Sequence, residues 1–105
     1  MSVLQETFTA WIDSQPPGPQ KLIVTGDIEV PTSGWSAKLT RATPQGVNPA
    51  VIILELALTK PTGNVLQVVS RVKARYEESP PGHAYTEATI RHEKLEFSIP
   101  VKPTS

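Results

Sequence analysis

His83 and His92 are the two histidines of the chain, and Glu77, Glu78, Glu87 and Glu93 lie near them in sequence. Two imidazoles and a carboxylate are a donor set that could hold a divalent metal. Their spacing fits no motif in which one element presents all the ligands. Two readings follow: exposed loop histidines, or a small-ligand or weakly metal-dependent site near His83 and His92. The serines sit in no nucleophile elbow and have no neighbouring histidine to activate them. Cysteine is absent, which excludes thiolate catalysis, a disulfide framework and cysteine-built zinc sites. The glycines are isolated turn formers, so no loop cradles phosphate. The expectation is a chain with no catalytic residue, no metal ligand set and no cofactor.

Charge points the same way. Ten basic and ten acidic side chains cancel, so no global field draws the chain to nucleic acid or to an anionic membrane. One local concentration exists: Arg71, Lys73 and Arg75 alternate, a basic stripe about 13 to 14 Å long at strand rise. Binding of single-stranded nucleic acid would want aromatic rings interleaved with the cations. Tyr76, the nearest, falls at the opposite parity, so the stripe reads as a solvated face that guards an edge. The residues from Met1 to Glu6 lack the basic start and apolar run of a secretory signal. No run approaches the eighteen or so apolar residues of a membrane helix. A cytoplasmic location is the expectation, with neither nucleic acid nor membrane as partner.

The elements that must carry these side chains are short runs of alternating apolar and polar residues, punctuated by proline and glycine. Phe8, Ala10 and Ile12 alternate with Thr9, Trp11 and Asp13 until Gln15-Pro16-Pro17-Gly18-Pro19 stops them. Leu22, Val24, Ile28 and Val30 share one parity with Gly26. Trp35, Ala37 and Leu39 resume after Pro31-Thr32-Ser33-Gly34. A connection from Thr43 to Pro49 leads into the most apolar run, Ala50 to Lys60. Val65 to Tyr76, Ala84 to Arg91 and Leu95 to Val101 complete about seven strands. At 105 residues, 38% of them hydrophobic, the chain suits one domain with a thin core. The spacing predicts an all-β, antiparallel β-sandwich over residues 1–105, immunoglobulin-like in general architecture on strand count. Residues 1–6 and 102–105 are expected to fray. A helix over Val65 to Tyr76 is the alternative, opposed by its β-branched valines.

Pro61-Thr62-Gly63 predicts a hairpin. Proline presets the first turn position and Gly63 can take the left-handed conformation of a three-residue loop with a G1 bulge. Lys60 then faces Asn64, and Leu58, Leu56, Leu54 and Ile52 pair with Leu66, Val68, Ser70 and Val72. Apolar parity meets apolar parity almost throughout. On the reverse face of this 50–60/64–75 hairpin stand Val51, Ile53, Glu55, Val69, Arg71 and Lys73, with Glu55 opposite Val69 and diagonal to Arg71. Such a mixed face is either shielded by a loop or by the N-terminal segment, or is a contact surface rimmed by charge. Trp11, at the polar parity of its strand, either covers the sandwich end or is an exposed aromatic anchor. The functional expectation is a non-catalytic protein-interaction or structural module with a protein partner or a homodimer. It would use that reverse face together with Trp11, or an open sheet edge for strand addition.

Overall fold

The computed structural model describes residues 1–16 and 18–104. Seven strands fill most of them: β1 (Ser2–Asp13), β2 (Lys21–Val30), β3 (Ser36–Arg41), β4 (Val51–Thr59), β5 (Ser70–Glu78), β6 (Glu87–His92) and β7 (Leu95–Thr104). They form one mixed sheet in the order β3-β4-β6-β7-β1-β2-β5. The sheet coils until its terminal strands, β3 and β5, lie side by side without a ladder between them, so the molecule is nearly a barrel.

The all-β class and the strand number match the sequence reading, but the uniformly antiparallel arrangement does not. β1 pairs β7 in parallel, and β4 pairs β6 in parallel. Alternation reports which face of a strand is dry and says nothing about the direction of its neighbour. β7 holds the coil together: residues Leu95 to Pro100 pair with β6, and Val101 to Thr104 continue beside β1. Strand pairing extends toward both termini. Ser2, Val3 and Leu4 face Glu29, Ile28 and Asp27, and Lys102 faces Trp11.

The predicted hairpin does not form. Gly63 takes the expected left-handed conformation, with φ of 80°, but the chain then crosses to the far side of the sheet. β4 lies between β3 and β6, while β5 pairs along its whole length with β2. The connection docks on the turn between β2 and β3. The Ser33 amide donates to the Leu66 carbonyl at 3.1 Å, and the Leu66 amide donates to Ser33 Oγ at 3.0 Å. The physical reason for the choice is visible across β2. Asp27 stands opposite Lys73 and Glu29 opposite Arg71, while Ile28 meets Val72 and Val24 meets Tyr76. Charge and apolar parity match together; folding back on β4 would have matched the apolar parity with one diagonal charge pair, Glu55 with Arg71.

The core lies inside the coil, where Leu22, Val24, Ile28, Ile52, Leu54 and Ile90 are buried at the parity their strands predict. Phe8 shows how closely it is filled. β1 carries extra residues between Leu4 and Thr9, and within this bulge the Thr7 hydroxyl donates to the Leu4 carbonyl and accepts the Asp27 amide. The bulge sets Phe8 over Gly26, where a Cβ would overlap the ring, and edge-on to Phe97 at 5.2 Å. Trp35 packs against this core, its indole N–H donating to Thr32 Oγ1 at 3.0 Å. Among the described residues no helix is long and apolar enough to cross a membrane.

Candidate interaction surface

The residues expected to share one face are distributed over three parts of the molecule. Val51, Ile53 and Glu55 are on β4, Arg71 and Lys73 on β5, and Trp11 on β1; the sheet order separates β4 from β5 by four strands. Val69 lies in the connection that precedes β5. On β4 Ile53 is covered, Val51 is half-buried and Glu55 is exposed. Gln45 donates from Nε2 to the carbonyls of Ala42 and Ile53 and accepts the Ile53 amide on Oε1, so its side chain acts as a short strand laid on β4. Ile53 is 8% exposed, with Gly46 lying against its side chain. Glu55 faces Thr40 and Arg91, not Val69. Trp11 is half-buried and stands opposite Ile23, which is buried on the same outward face.

The basic stripe is exposed but matched. Asp27 lies 3.9 Å from Arg71 and 3.8 Å from Lys73, and Arg75 donates from Nε to Glu77 at 2.8 Å. The Arg75 guanidinium, with Lys21 beyond it, holds the Glu77 carboxyl below the usual carboxylate range. The charge of the stripe is therefore largely offset, with one carboxylate shared by Arg71 and Lys73 and another by Arg75 and Lys21. Its lead-in is different. Leu66, Val68 and Val69 are 70%, 51% and 65% exposed, in an irregular stretch outside any ladder. Large apolar side chains gathered this way on a surface rimmed by charge mark contact sites more often than scattered ones do.

The histidines do not cooperate. His83 lies beside Val51, at the start of β4, while His92 Nδ1 is 3.0 Å from the Leu56 carbonyl. Strand rise puts these ends of β4 about 17 Å apart. His92 Nε2 is buried without a partner, and no group of three metal-binding side chains occurs among the described residues. His83 packs edge-on to Tyr85 at 6.1 Å and borders a cleft of about 490 Å³ with Ile12, Gln20 and Pro103.

The polar cluster that the sequence did not announce is centred on Glu78. Its Oε1 accepts from Arg41 at 3.1 Å and from the Tyr76 hydroxyl at 2.7 Å; its Oε2 accepts from the Tyr85 hydroxyl at 2.7 Å and the Gly82 amide at 2.6 Å. Burial pushes this carboxyl up, but the bonds from Tyr85, Gly82 and Tyr76 and the Arg41 charge outweigh it and hold it below the usual range. Burial, with Glu78 beside it, pushes the Tyr76 phenol up to about 12, and Tyr85 shifts the same way for the same reasons. A carboxylate with its acceptor sites filled and its proton held off is a structural cross-link and a poor general base. Compared with protein-family models, with curated proteins and with solved structures, the chain finds no match in any of the three.

Proposed function

We propose that this chain is a non-catalytic interaction module that binds a second copy of itself through the Leu66–Val69 run and the adjoining face of β5. The observation that carries this reading is the exposure of Leu66, Val68 and Val69 beside a terminal strand of the sheet. Burying three such side chains in a contact would contribute several kcal/mol before the cost of association, at about 25 cal/mol per Å². The run is self-complementary: a two-fold axis through Gln67 sets Leu66 of one copy against Val68 of the other, and Val65 against Val69. In an extended run alternate residues send their backbone groups to opposite sides. With Leu66 turned toward Ser33, the amide and carbonyl of Gln67 are directed outward, as strand addition requires. The rim favours a copy over a charged partner, because Arg71, Lys73 and Arg75 already have carboxylates beside them. The scaffold shares with immunoglobulin-like sandwiches its strand number.

Sedimentation velocity over a range of concentrations tests the proposal. The wild-type chain is expected to pass from monomer to dimer as concentration rises, whereas Val69→Asp and Leu66→Asp remain monomeric with an unchanged Tm. A wild-type monomer at every concentration would overturn it.

A further inference from the structure

The seam between β3 and β5 is fastened at two places. At one end, the turn before β3 and the connection before β5 are joined by the two bonds between Ser33 and Leu66. At the other, Glu78 gathers Arg41 from the end of β3, Tyr76 from its own strand, and Tyr85 and the Gly82 amide from the connection that follows. Among the described residues, the bond from Arg41 to Glu78 is the hydrogen bond that joins β3 to β5 directly.

We propose that the Glu78 carboxylate is a clasp for this seam: while it accepts its four bonds β3 and β5 stay together, and when that acceptor capacity is lost they part and uncover two strand edges. The argument is one of valence. An ionised carboxylate offers about four lone-pair directions and no donor. Four donors occupy it here. Adding a proton, or replacing Oε2 by an amide nitrogen, turns one acceptor into a donor that faces donors. The tyrosine hydroxyls can rotate to adapt, but the Gly82 amide cannot. Whichever oxygen changes, one donor that cannot adapt, the Gly82 amide on Oε2 or the Arg41 guanidinium on Oε1, loses its acceptor within the chain, and the hold across the seam is released.

The groups around Glu78 make the effect specific to it. Arg41 faces it from β3, Tyr76 from β5, and Tyr85 from the connection, with the His83 ring behind Tyr85. From β2 its opposite neighbour is Leu22, which carries no charge. Glu77 is engaged elsewhere, by Arg75 and Lys21. The second fastening, between Ser33 and Leu66, contains no titratable group and stays in place when the clasp is undone. The clasp concerns the closure of the coil within one chain and does not depend on the self-association reading.

Hydrogen exchange followed by mass spectrometry, at a dilution where the protein is monomeric, separates the outcomes. Glu78→Gln is expected to speed exchange of peptides covering residues 36–41 and 70–78 by about tenfold or more, the scale of lost bonds to a charged group. Peptides from β6 and from Leu95 to Pro100 should keep their wild-type rates. Glu96→Gln, which removes the carboxylate bonded to Arg91 on another surface, is the control and should change neither seam strand. Tyr85→Phe, which deletes one of the four donors, should give the same pattern at smaller amplitude, and it serves if Glu78→Gln does not fold. Equal acceleration of every peptide, or none in the seam strands, would overturn the proposal.

Discussion

β5 begins and ends in opposite surroundings. At its C-terminal end Glu78 is 15% exposed, with Arg41, Tyr76, Tyr85 and Gly82 as its donors. Before its N-terminal end, Leu66, Val68 and Val69 stand in water. The polar end is spent on the fold: its hydrogen-bonding capacity is used within the chain, and little remains for a ligand or a reaction. The apolar end contributes almost nothing to the core and keeps its capacity for contact. Function in a small β domain is better sought where side chains are left unsatisfied than where chemistry-bearing residues are densest.

That contrast can be broken most forcefully at the polar end. Glu78→Ala is expected to cost about 1 to 2 kcal/mol, because four bonds to a largely buried carboxylate are lost while water takes up the exposed Arg41 and Gly82 donors. Chemical denaturation would read this as a lower midpoint at unchanged slope. A loss comparable with that of a surface residue would show that solvent satisfies the cluster equally well.

Acid sharpens the comparison next. The folded Glu78 carboxyl lies below its ordinary value, so its stabilisation is complete above the unfolded value of about 4.3. It is lost as pH falls through the lower, folded value. Thermal melts between pH 7 and pH 3 should therefore show wild type and Glu78→Gln converging toward the acid end. A constant gap would mean that ionisation of Glu78 does not matter. The smallest effect is expected at the apolar end, where Leu66→Ala should change stability by less than about 0.5 kcal/mol, as for an exposed position. A larger loss would mean that the run packs on the fold and is not free for contact.

Much of this architecture was legible in the alternation of single strands. Ile52, Leu54 and Leu56 are buried and Glu55 is exposed, as their parity requires, and Trp35 sits at core parity. What alternation could not convey was partnership. Pro61-Thr62-Gly63 has the residues of a hairpin turn and even the left-handed glycine, yet ten residues separate Thr59 from Ser70, enough to carry the chain across the coil. The acidic alternation of Asp27 and Glu29 against the basic alternation of Arg71 and Lys73 was the available signal for the true pairing. The site was harder to read. Val69, Arg71 and Lys73 are exposed, but Ile53 is covered where the connection before β4 folds over it, with Gln45 bonded to its backbone and Gly46 against its side chain, which composition does not reveal. In sequence Glu78 stands near the histidines, where it reads as a candidate metal carboxylate. Its principal cation, Arg41, is 37 residues away, and no spacing rule links them.

The division of β7 between two neighbours bears on how the chain acquires its fold during synthesis. β1 is made before β2 and can pair with it as soon as β2 emerges, but its other side waits for Val101 to Thr104. The earliest strand is thus completed by the latest one. Nearly the full length of the described chain must emerge before the coil can close, so folding is set by contacts between distant parts of the sequence and proceeds slowly. In that interval the flank of β1 from Ala10 to Asp13 is an unpaired strand edge, open to other copies of the chain.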